Sequence, residues 1–120
     1  MANELYYAIE LTARKGGASV SHSTSGNTTM TGDDMTQATQ VIGTTSEVID
    51  FGEIAGAPSM VLIRNLDATN FVEIGGDSGL TIFKLKILAG KSILISPSSA
   101  TMYGKADTAA ARIQVIAVEA

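Results

Sequence analysis

The sequence predicts an all-β protein, an antiparallel β-sandwich with the jelly roll among the forms it admits. Three observations carry this expectation. Residues 60–88 hold three apolar runs separated by two polar turns, the pattern of consecutive antiparallel strands. Leu5, Tyr7, Ile9 and Leu11 alternate with Tyr6, Ala8, Glu10 and Thr12, the period of a strand with one buried face. Turn signals recur about every ten residues, a spacing that yields eight to ten short strands.

In chain order, the first strand is expected over Glu4 to Arg14, a turn at Lys15-Gly16-Gly17, and a returning strand over Ala18 to Ser23 with Val20 inward. Ser23 to Asp34 is rich in Ser, Thr, Gly and Asn and reads as a loop or an exposed ribbon, because it cannot bury a continuous apolar face. Gln37 to Ile42 and Glu47 to Phe51 are short strand candidates joined by Gly43-Thr44-Thr45-Ser46, and Gly56 to Pro58 breaks the chain.

Met60, Val61, Leu62 and Ile63 are consecutive apolar residues, so both faces of that strand are expected to be covered, in the centre of a sandwich or under a partner. Phe71 to Ile74 and Leu80 to Leu88 follow. The latter puts Phe83, Leu85 and Ile87 on one face and Ile82, Lys84 and Lys86 on the other, which points to solvent or an acidic neighbour. Ser92 to Ser96, Thr101 to Tyr103 and Arg112 to Val118 complete the strands, with Lys105 to Thr108 as a tight loop. Asp107 to Ala111 is Ala-rich but too short to nucleate a helix. The organisation expected is one β domain over residues 1–120, with a Ser/Thr-rich loop or extended segment at about 19–46.

A chain of 120 residues can bury a real core, and with 45% hydrophobic but only 5% aromatic residues that core is aliphatic. The chain has no Cys, so thiolate metal sites and disulfides are excluded and stability must come from packing or association. A net charge of −4 with scattered basic residues argues against a nucleic-acid surface. The first residues show no basic-then-apolar leader, and no apolar run approaches the roughly 20 residues that cross a bilayer, so no membrane partner is expected.

Candidate chemistry is thin. His22 lies between Ser21 and Ser23, with Asp33 and Asp34 further along, but no nucleophile elbow accompanies it, and a surface histidine is the plainer reading. Gly90-Lys91-Ser92 has the end of a phosphate-binding loop, yet Leu85 stands where its first glycine belongs and a strand follows instead of a helix. Asp33-Asp34, and Glu73 with Asp77, lack the calcium-loop pattern and read as solvated turns. Without Trp, and with three Tyr and three Phe, sugar-stacking platforms are scarce. No catalytic, cofactor-binding or metal residues are assigned.

Four stretches resemble small virion proteins of tailed bacteriophages: Ile63 to Gly75, Tyr103 to Ala110, Thr29 to Met35 and Gln40 to Glu47. The likeness runs from about Asn27 onward and carries no catalytic residue. Ile87-Leu88-Ala89 departs from it where a Pro-Gly turn is expected, which implies a displaced or partly buried turn. The resemblance implies a particle component present in many copies and not an enzyme. The leading expectation is a capsid decoration (cement) protein, trimeric, that bridges major capsid subunits. A neck or tail component is the alternative, and a receptor- or glycan-binding module the second.

Overall fold

The computed structural model of the chain describes residues 4–54 and 56–119, so that residues 1–3, part of the amino terminus read above for a leader, lie outside the described residues. Ten strands occur among the described residues: β1 Leu5–Lys15, β2 Ala18–Thr28, β3 Met35–Ile42, β4 Glu47–Val48, β5 Met60–Asn65, β6 Val72–Gly75, β7 Lys84–Ile87, β8 Ser92–Ile95, β9 Tyr103–Ala106 and β10 Ala111–Val118. None of the described residues is helical, and every strand pairing is antiparallel. The chain divides into two compact units, Met1–Thr31 and Gly32–Ala120.

The smaller unit is a two-stranded ribbon in which Leu5 pairs with Thr28 and Lys15 with Ala18. The two-residue turn Gly16-Gly17 closes it, and Gly16 takes φ 61°, a value that favours glycine at the first turn position. The Ser/Thr segment is therefore strand as far as Thr28 and irregular from there to Asp34. Backbone pairing along β1 replaces the apolar burial that this segment lacks.

The larger unit is a β-sandwich. One sheet has the order β3-β10-β5-β8 and the other β4-β9-β6-β7. Except for the β6-β7 hairpin, successive strands of this unit switch sheets, so that β3 lies beside β10 and β4 beside β9, which is the double Greek key of a jelly roll. Strand β10 shows why: in A-R-I-Q-V-I-A-V, Ala111, Ile113, Val115 and Ala117 are buried while the residues between them are not. These four meet Ile42, Val61, Ile63, Val72, Ile74, Ile87 and Ala106 in a single core that spans both sheets. Met102 and Phe51 belong to the same core.

Several boundaries differ from the expectation, each for a local reason. Leu80 to Leu88 contributes strand only at Lys84–Ile87, because the Asp77 carboxylate captures the backbone N–H groups of Thr81 at 2.7 Å and Ile82 at 3.0 Å in a turn. Lys105 and Ala106 belong to β9 and not to a loop, since Val72 and Glu73 pair with them. Val20 is not inward but 56% exposed, and the β1 face expected to be buried carries Ile9 and Leu11 at 50% and 69% exposure. The turn after β7 falls at Leu88 to Lys91, where Lys91 N–H donates to the Leu88 carbonyl at 2.9 Å.

Candidate functional site

The ladder registers divide each sheet into an inner and an outer face, because directly paired residues point the same way and successive ones alternate. On the β3-β10-β5-β8 sheet, Ile116 pairs with Leu62, and Leu62 with Leu94. Val118 pairs with both Met60 and Met35. These residues alternate with the core residues Val61, Ile63, Val115 and Ala117, so they form an apolar patch on the outside of the sandwich. Met60, Leu62, Leu94, Ile116 and Val118 are half-buried and Met35 is exposed. The patch is polar at one end, where Arg64 donates to Gln114 Oε1 at 3.2 Å.

The opposite outer face, on β9-β6-β7, has another chemistry. Glu73 pairs with both Lys86 and Lys105, and Lys84 approaches the Glu73 carboxylate at 3.7 Å. Lys86 stands over the Phe71 ring at 4.3 Å from its centroid, a cation–π contact. Three lysines around one glutamate leave a local positive excess on an acidic protein. A cleft of about 330 Å³ at its margin is bordered by Thr44, Thr45, Ser46, Lys84 and Lys105 and has no aromatic wall on which a sugar could stack.

The sequence-selected polar residues are placed one by one as structural groups. His22 lies mid-ribbon opposite Leu11, and its neighbours Ser21 and Ser23 point to the other face, so strand geometry separates hydroxyl from imidazole. Ser21 Oγ instead lies 3.2 Å from Thr12 Oγ1. Gly90 and Lys91 spend their N–H groups on the carbonyls of Asn65 (3.1 Å) and Leu88, which leaves no nest for a phosphate there. Asp77 accepts from Thr81 Oγ1 at 2.6 Å, and chiefly that bond, with those from backbone N–H groups, holds its carboxyl below the usual range.

Asp33 and Asp34 gather with Glu119, with carboxylate oxygens within 4.8 Å of one another. The Asp34 N–H donates to Glu119 Oε2 at 3.0 Å, and the Glu119 charge, followed by burial and the charges of Asp33 and Glu53, pushes the Asp34 carboxyl up. Sequence reading missed Asn65, the one buried polar residue among those described, at 1% exposure. Its Nδ2 donates to the carbonyls of Asn70 at 2.8 Å and Ile87 at 3.0 Å, and its Oδ1 accepts from Asp67 N–H at 2.9 Å. It thereby ties the end of β5 to the end of β7 in the other sheet. An Asn at a strand end followed by Asp two residues later is the signal for such a turn, but its burial depends on strands far along the chain.

The chain matches no protein-family model, and no curated protein matches it.

Proposed function

We propose that the chain is a non-enzymatic structural protein of a tailed-phage particle, a capsid decoration protein that binds major capsid subunits and holds neighbours together. One observation carries the reading. Strand β5 sends Val61 and Ile63 into the core but Met60 and Leu62 outward, into an apolar patch continuous with Ile116, Val118 and Leu94. A strand with two apolar faces is what a sheet needs when it is covered on both sides, and here the second cover comes from another molecule. The jelly roll agrees with this use by fold analogy, and so does the resemblance of residues 27 onward to phage virion proteins. The Asn65 amide and the Asp77 carboxylate are spent on turns, which suits a protein whose work is to be a surface.

The mechanism is mass action. A protein that binds only the expanded shell stabilises it by the free energy of binding, and modest contacts add up when many copies act on one lattice. Densitometry of purified particles tests this: a decoration protein is present on the order of hundreds of copies, as lattice multivalency requires, and a count of tens or fewer would sink the reading in favour of a neck or tail component. The substitution Leu62→Gln should abolish attachment to shells while leaving the chain folded.

A further inference from the structure

The cleft at the margin of the lysine face is built by two loops that lie far apart in sequence. Thr44, Thr45 and Ser46, between β3 and β4, border it on one side, and Ser78 to Leu80, between β6 and β7, on another. The outer face of β9-β6-β7 supplies Glu73, Lys84 and Lys105. Leu80 is 7% exposed and takes φ 55°, a left-handed backbone that a leucine rarely adopts. Its side chain covers Gly75, where a Cβ would meet it at 2.8 Å.

Two groups there lack a counterpart. Ser46 Oγ is buried without a hydrogen-bond partner, the one such side-chain atom among the described residues, and a hydroxyl left so is costly. Rotation about χ1 can turn it to a group entering the cleft. Lys105 is exposed and has no ion pair among the described residues, while Glu73 is engaged by Lys84 at 3.7 Å. The acids beside the two loops are occupied elsewhere. Glu47 accepts from the Gly43 N–H at 3.0 Å, and Asp77 from the N–H groups of Thr81 and Ile82.

We infer that this cleft takes a carboxylate side chain from an acidic segment of a partner protein, with Lys84 and Lys105 as its countercharges and the Ser46 hydroxyl as a donor. It gives a protein that joins neighbours a second contact, on the sheet opposite the apolar patch, and rests on the reading above only for the identity of the partner. Charge selects a carboxylate over other anions. Two ammonium groups against the Glu73 carboxylate leave one net positive charge in the cleft, which matches a carboxylate and not a phosphate dianion, and no arginine lines it. A nucleic acid would also meet the net charge of −4 of the whole chain.

The test uses the full chain and a hexaglutamate peptide at low ionic strength, followed by amide NMR signals. The peptide should shift residues 44–46, 78–80 and 105 saturably. Lys105→Gln should weaken binding by roughly threefold to fivefold, the worth of one exposed ion pair. Lys91→Gln, the same loss of charge outside the cleft, should leave it within about twofold. Ser46→Ala should weaken binding without lowering the Tm, since the hydroxyl it deletes makes no bond in the free protein; a hydroxyl serving only the fold would move the Tm instead. Equal weakening by the two lysine variants, the same shifts from inorganic phosphate or duplex DNA, or no saturable shift would each overturn the inference. So would self-association in sedimentation that the peptide reverses, because the occupant would then be a second copy. A low copy number on particles sinks the decoration role and leaves this result standing, whereas failure of the peptide sinks the cleft and leaves the apolar patch as the shell contact.

Discussion

Replacing Asn65 with Ala tests the polar bridge between the two sheets. The side chain is 1% exposed and makes three hydrogen bonds at 2.8, 3.0 and 2.9 Å. Removing it costs about 1 kcal/mol for each bond and strands the Asn70 and Ile87 carbonyls and the Asp67 N–H, a desolvation cost of about 1–2 kcal/mol more. The expected loss is about 3–5 kcal/mol, which lowers the Tm of a domain this size by about 10–20 °C. Asn70→Ala is the matched control: it deletes an amide of the same kind whose bond to Thr108 Oγ1, at 2.9 Å, is exposed, and should cost about 0.5 kcal/mol. Urea unfolding at fixed protein concentration measures both, because association would otherwise shift the midpoint. A loss below about 1 kcal/mol for Asn65→Ala, or equal losses for the pair, would refute the bridge as a major stabilising element.

Adjacent residues on β5 should behave oppositely: Ile63→Ala opens a cavity in the core and costs about 2–5 kcal/mol, whereas Leu62→Gln costs about 1 kcal/mol or less in the free protein and shows its effect in attachment. Circular dichroism melts of the two variants read the contrast. Acid should act with opposite sign at two places. Asp67 and Asp77 are held below the usual carboxyl range by bonds from Asn70 and Thr69 and from Thr81 and Ile82, so their contribution is present above the ordinary carboxylate pKa and is lost as pH falls through their lowered values. Asp34 is pushed up by Glu119, so its contribution is full below the ordinary value and is lost as pH rises through its raised one. Urea midpoints between about pH 2 and pH 7 should therefore show Asp77→Asn flattening the acid limb and Asp34→Asn raising stability at neutral pH.

Much of the fold was legible because its signals are local. Alternation in Arg112 to Val118, glycines at the ribbon turn and Pro58 after β4 are properties of a few neighbouring residues, and they marked strands and breaks close to where they occur. What was not legible depends on partners distant in sequence. Ser23 to Thr28 is strand because β1 supplies hydrogen bonds to it, something its own Ser-rich composition could not announce. Leu80 to Phe83 is turn because a single carboxylate, Asp77, outcompetes an apolar run for backbone N–H groups. The candidate surface was half-visible: consecutive Met60 to Ile63 declared two covered faces, but Ile116, Val118 and Leu94 joined it only through the strand order β10-β5-β8. The ribbon face was read as buried because alternation reports that a strand has an apolar side, and cannot tell whether the same molecule covers it.

The strand order also sets a clock. Among the described residues strand β3 has β10 as its only sheet neighbour, and Met35 pairs with Val118 across nearly the whole length of the larger unit. The first strand of the sandwich must therefore wait, its edges unpaired, until the last has arrived. Contacts of such separation slow closure to the millisecond-to-second range and expose strand edges meanwhile. On a ribosome the sandwich closes only after residue 118 has emerged, whereas the ribbon, complete by Thr28 and local in every pairing, is formed long before. The chain thus passes through an interval in which its ribbon is formed and its globular part is not, which makes synthesis rate and temperature levers on yield.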